Sequence, residues 1–148
     1  LDVKLRRSEA REAAFLLVYQ SAFRTDSMND ILESTVEDED DSFPVDDFAR
    51  KLALLCEEKS EELDAVINRY LNRWKLNRLP RLTLAALRIA VCELLYFPDI
   101  PVAVTINEAI ELLKKYASEE DAAFLNGVLG SVAKNEPIEK NVESKDGE

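Results

Sequence analysis

Residues 101–130, PVAVTINEAIELLKKYASEEDAAFLNGVLG, constrain the fold more than any other stretch. They carry two successive apolar stripes at three- and four-residue spacing, which only packed helices can bury. In the first stripe Val102, Ile106, Ala109, Ile110, Leu113 and Ala117 face a core, leaving Asn107, Glu108 and Glu111 on the flank or back. In the second, Phe124, Leu125, Val128, Leu129 and Val132 do the packing. Asn126 and Gly127 then fall mid-helix on the far side, where both are poor helix formers with no propensity reason to be there.

The rest of the chain reads as helix too, and with only three glycines and five prolines it lacks the turns of an all-β fold. Ser8 can cap a helix reaching about residue 23, and a short helix fits 28–36. The acidic stretch 37–44 ends in a turn at Pro44. Helices follow over 46–58 and, capped by Ser60, from 60 to about 74. Residues 75–80 form a hinge, and Pro80 suits the first turn of a helix reaching 96. FPDIP breaks the chain before the 101–117 helix, and Ser118 with Asp121 resembles a cap for the last one. The polar composition of 136–148 predicts a disordered tail.

No apolar run approaches a membrane span, and the N-terminus is charged where a signal peptide would be apolar, so a cytoplasmic protein is expected. Cys56 and Cys92 sit in helical patterns without other ligand clusters and read as buried thiols.

The net charge of −11 argues against nucleic-acid binding until its distribution is examined. Residues 1–24 carry +2, 25–47 carry −10, 48–135 balance, and the tail adds −3. The acidity belongs to one loop and one tail. Arg69, Arg73, Lys75, Arg78, Arg81 and Arg88 lie in a span with no acidic residue. With a Debye length of about 8 Å at physiological salt, a basic face works independently of a distant acidic loop.

Catalysis has no inventory here: there is no histidine, no Gly-rich phosphate loop and no nucleophile with a base at a recognisable spacing. Binding is the expected role, with no cofactor and no metal. Arg7, Arg11, Phe15 and Tyr19 follow a four-residue ladder, each displaced about 40° around the helix from the last. Cations that track phosphate and a ring that stacks on a base are what single-stranded nucleic acid needs. The same residues also read as a solvated arginine face with a half-buried tyrosine.

Four landmarks in order carry a family resemblance: RRSEAREAAFLLVYQ at 6–20, LDAVINRYLNRWKLNRL at 63–79, LRIAVCELLYFPDIP at 87–101, and INEAIEL followed by FLNGVL. Together they resemble the NusB family of transcription antitermination factors over nearly all of residues 6–134. The resemblance implies an all-α fold of two small helical bundles packed side by side, over 1–78 (with the acidic loop) and 79–135. It implies an antitermination factor that binds boxA single-stranded RNA with the ribosomal small-subunit protein NusE. That pair would act on the transcription elongation complex to promote read-through in ribosomal RNA operons.

By the same resemblance, the RNA-binding residues are Lys4, Arg6, Arg7, Arg11 and Tyr19 on the first helix, with Arg88, Tyr116, Glu120, Phe124 and Asn126. Alternatives stand beside several of these: Phe124 as core, Asn126 as a bridge between helices, and Arg88 paired with Glu93 or another acid at the bundle interface. Asn107 and Glu108 fit a hydrogen-bond network at the seam as readily as a ligand contact. In family members the first helix often has a denser basic run, which Ser8 and Glu9 interrupt here. A rival role is a protein-binding helical adaptor without RNA contact, its acidic loop the working surface. The sequence leaves oligomeric state open, a homodimer included.

Overall fold

A computed structural model of the chain describes residues 4–37 and 43–141. Its helices are α1 (Arg7–Ser21), α2 (Met28–Glu37), α3 (Asp47–Glu58), α4 (Ser60–Arg69), α5 (Arg81–Tyr96), α6 (Val102–Tyr116) and α7 (Glu119–Asn135), with a 3-10 turn at Leu76–Arg78. Among the described residues there is no strand, and no helix is long and apolar enough to cross a membrane. Most of the acidic loop lies outside the described residues.

The helices pack as small bundles side by side around α5, which touches α1, α3, α4, α6 and α7. Its sequence explains that position. From Thr83 to Leu94 every residue except Arg88 is buried, so the helix is apolar nearly all round and must be enclosed. The core therefore runs unbroken from Ala10, Phe15 and Leu17 of α1 through Leu87 and Ile89 of α5 to Leu125 and Leu129 of α7.

Caps fix two helix starts. Asp46 Oδ1 accepts from the Ala49 amide at 2.9 Å, and Ser118 Oγ accepts from the Asp121 amide at 3.0 Å. The fourth helix ends at Arg69 rather than near Trp74. Asn72 adopts the left-handed conformation, φ 57°, which a helix cannot continue through and which asparagine tolerates better than most residues.

Two further expectations shift. In α6 the enclosed face is Thr105, Ala109, Leu112 and Leu113; Val102, Ile106 and Ile110 are half-buried, and Ala117 is exposed. The stripe is rotated because Thr105 is drawn inward to donate to buried Glu93. Residues 136–141, assigned to the polar tail, run back along the protein: Lys140 Nζ donates to the carbonyls of Glu93 and Phe97, and the Asn141 amide donates to the Pro98 carbonyl. The Glu93 and Phe97 carbonyls lie at the C-terminal end of α5, where each also accepts one backbone amide, from Phe97 and Ile100, and the Lys140 ammonium adds a second donor at the negative end of the helix.

Candidate nucleic-acid interface

The N-terminus of α1 gathers three exposed cations. Lys4 and Arg6 are open to solvent, and the Arg7 guanidinium lies 3.8 Å from the centroid of the Phe48 ring. Positive side chains at a helix N-terminus add to the positive end of the macrodipole, which disfavours the helix and favours an anion. One internal acid offsets part of this: Arg6 Nε donates to Glu9 Oε1 at 3.1 Å, which holds the Glu9 carboxyl below its usual range. The segment is anchored from below, since the Leu5 amide donates to Asp46 Oδ2 at 3.2 Å, on the same carboxylate that caps α3.

Arg11 does not join this surface. The expected ladder placed it on a solvated face, but its side chain is 2% exposed and points into the seam between bundles. Nε and Nη2 donate to Glu93 at 2.5 and 2.9 Å, while Nη1 donates to Glu108 Oε1 at 2.9 Å. Thr105 Oγ1 donates to Glu93 at 3.0 Å. Glu93 is fully enclosed, and a lone carboxylate there is too costly to leave unpaired. Arg11 is thus a strut joining α1, α5 and α6, and Glu108 of the INE motif is part of it. Asn107 is exposed.

A second set of bonds ties Tyr116 to α1. Its phenol donates to Glu12, its ring lies 5.4 Å from buried Phe15, and Lys115 Nζ donates to Glu12 at 2.7 Å. Partial burial, then the bond to Glu12, pushes the Tyr116 pKa up to about 12. Burial works against an ionised Glu12, but hydrogen bonds from Lys115 and Tyr116 outweigh it and hold its carboxyl low. At the far end of α1, half-buried Tyr19 packs edge-on against Phe23, 5.1 Å away, and Phe23 is 63% exposed.

The remaining candidates lie elsewhere. Arg88 donates to both Asp64 oxygens, at 2.9 and 2.8 Å, so the acid it meets is Asp64 and not Glu93. Beside it Cys56 and Cys92 are free and buried; the bond to Cys92 and burial push the Cys56 thiol well up, which keeps it unreactive. Phe124 is half-buried, edge-on to exposed Trp74 at 5.9 Å, while Glu120 and Asn126 are exposed. The structure therefore brings together Lys4, Arg6 and Arg7, links Tyr116 to α1 through Glu12, and leaves Tyr19, Arg88 and Phe124 on separate patches.

Sequence reasoning missed Phe48, Asp46, Glu12 and Glu136 as supports. Glu93 carried a usable signal: it is the one acid inside an otherwise apolar run, and such a group demands a cation.

The fold and this cationic helix end define a small all-helical protein that presents a binding surface. Residues 8–134 match the model of the NusB family. The transcription antitermination protein NusB of Clostridium perfringens is 41% identical over 133 residues, covering 88% of this chain and 98% of that protein. NusB of Clostridium novyi is 37% identical, covering 88% and 99%. The solved structure of T. maritima NusB superposes with TM-score 0.76 at 38% identity, covering 90% of this chain and 94% of that one. A crystal structure of the antitermination factors NusB and NusE with double-stranded RNA matches at TM-score 0.75 and 30% identity, covering 86% and 96%. The chain belongs to the NusB family of transcription antitermination factors.

Proposed function

We propose that the chain acts without catalysis in the cytoplasm, joining the ribosomal small-subunit protein NusE and binding boxA RNA with it, so that the elongation complex reads through terminators in ribosomal RNA operons. The observation that carries this reading is the exposed trio Lys4, Arg6 and Arg7 at the positive end of α1, in a chain that resembles nearly all of a NusB solved with NusE and RNA. Arg7 and Arg6 supply phosphate contacts, and Tyr116, Glu120, Phe124 and Asn126 are the further candidates on α6 and α7. With Arg11 consumed by the seam and Arg6 partly neutralised by Glu9, affinity for RNA alone should be modest and NusE should raise it.

A titration of labelled boxA RNA against the chain, with and without NusE, tests this. Tighter binding in the presence of NusE is expected. Binding of NusE with no RNA retained in either titration would favour the adaptor role.

A further inference from the structure

Acids outnumber bases in this chain by 30 to 19, and several of its cations are accordingly cancelled: Arg6 by Glu9, Arg24 by Asp26, Arg88 by Asp64 and Lys115 by Glu12. Arg7 and Lys51 are held differently. Both are exposed, and each lies against a phenylalanine ring: the Arg7 guanidinium is 3.8 Å from the centroid of Phe48, and Lys51 Nζ is 4.9 Å from that of Phe97. Neither has a carboxylate partner among the described residues. A ring steadies a cation without cancelling its charge, so both keep N–H donors and a full positive charge for an anion.

The two rings act as one unit. Phe48 and Phe97 pack edge-on with centroids 5.5 Å apart, which gives the order Arg7, Phe48, Phe97, Lys51 across α1, α3 and the residue that ends α5. Lys51 follows Phe48 by three residues and so lies on the same face of α3, one turn on. Asp46 receives the Leu5 amide while capping α3, which fixes the start of α1 beside the start of α3. Phe97 is 7% exposed, and Lys140 Nζ donates to its carbonyl at 2.9 Å, which anchors the second ring. Two uncancelled like charges are thus fixed over one apolar pedestal, and a bound anion relieves their repulsion.

We propose that Lys51 is a further phosphate contact for RNA, and that Phe48 and Phe97 form the pedestal that sets it in line with Arg7, so that the RNA surface continues from α1 onto α3. The proposal deepens the RNA-binding reading above and rests on it. Continuity with Lys4, Arg6 and Arg7 is what favours RNA here over an acidic protein face. A strand held at Arg7 and laid across the edge of Phe48 brings another phosphate to Lys51. Phe48 and Phe97 are positioning residues, acting through the two cations.

The full-length chain with NusE is titrated with boxA RNA across a salt series, as wild type, Lys51→Gln, Lys51→Arg, Phe48→Leu, Phe48→Leu with Lys51→Gln, and Arg7→Ala. Lys51→Gln should weaken binding about two- to fivefold near physiological salt and lower the logarithmic salt slope by about 0.7, as the loss of one phosphate contact does. Lys51→Arg should restore both. Phe48→Leu keeps every cation but removes the pedestal, so adding Lys51→Gln to it should cost less than Lys51→Gln costs alone. Denaturation midpoints on the same preparations show that each form is folded, and the Lys51 variants test the contact without touching the core. An unchanged slope and affinity in Lys51→Gln, while Arg7→Ala lowers both, would overturn the contact and leave the function standing. Additive losses in the double variant would overturn the pedestal. Weaker NusE binding by Lys51→Gln, with the RNA affinity of the assembled complex unchanged, would also overturn the contact, marking a protein-binding face. Failure of the wild type to bind RNA at all would remove the RNA reading itself.

Discussion

Arg11 of α1 and Glu93 of α5 are joined by two parallel hydrogen bonds, at 2.5 and 2.9 Å, with neither side chain more than 2% exposed. For so buried a pair, attraction and desolvation nearly balance, but removing one partner strands the other. Arg11→Ala is expected to lower the unfolding free energy by about 3–5 kcal/mol, whereas Arg11→Met combined with Glu93→Leu recovers most of that loss. Urea denaturation of both variants checks it, and a near-neutral Arg11→Ala would contradict the strut.

Asp46 holds two elements with one carboxylate, capping α3 and receiving the Leu5 amide. Asp46→Ala should therefore cost about 0.5–2 kcal/mol through removal of the cap and should also loosen the segment bearing Lys4 and Arg6. Hydrogen exchange at the Leu5 amide should speed up relative to the middle of α1. Equal protection in the two proteins would show that the anchor does not hold the segment.

The Tyr116 phenol gives the alkaline limb of stability a definite sign. Its pKa is pushed from 10.0 up to about 12 in the fold, so between those values the unfolded chain binds fewer protons than the native one. The contribution is complete below about pH 10 and is lost as pH rises through about 12. Tyr96, whose bond to Glu62 pushes it up to about 12, loses stability in the same window. Tyr116→Phe should make the decline between pH 10 and 12 shallower without abolishing it. Denaturation midpoints at stepped pH provide the measurement, and parallel declines would refute the assignment.

What could be read from the sequence was what depends on near neighbours. The cap at Ser118 and the helical stripe of α7 follow from residues within a few positions of one another. Arg11 was misplaced because its partners lie 82 and 97 residues further on, and four-residue spacing cannot tell a solvated ladder from one turned into a seam. The rotation of α6 has the same origin, since Thr105 faces inward only because Glu93 is there to receive it. The return of residues 136–141 was hidden by their polarity, although Lys140 and Glu136 are held by acceptors at the end of α5 and donors at the end of α4.

Tyr19 separates stacking from packing. It is half-buried and leans on exposed Phe23, so Tyr19→Ala should cost about 1–3 kcal/mol of RNA affinity if its ring meets a base, with Tyr19→Phe costing far less. Unfolding and boxA affinity measured on the same preparations decide the matter. A large loss of stability with unchanged affinity per folded molecule would remove Tyr19 from the interface.

The central claim is that phosphate is held by the cations at the start of α1 and not by Arg11. It is tested most directly by the salt dependence of boxA RNA binding in the presence of NusE, comparing the wild-type chain with a Lys4→Ala, Arg6→Ala, Arg7→Ala variant that keeps Arg11. The variant should bind more weakly, and its logarithmic salt slope should fall by about 0.7 for each phosphate no longer neutralised, while its unfolding free energy stays within about 1 kcal/mol of the wild type. An identical slope and affinity in the two proteins would contradict the account.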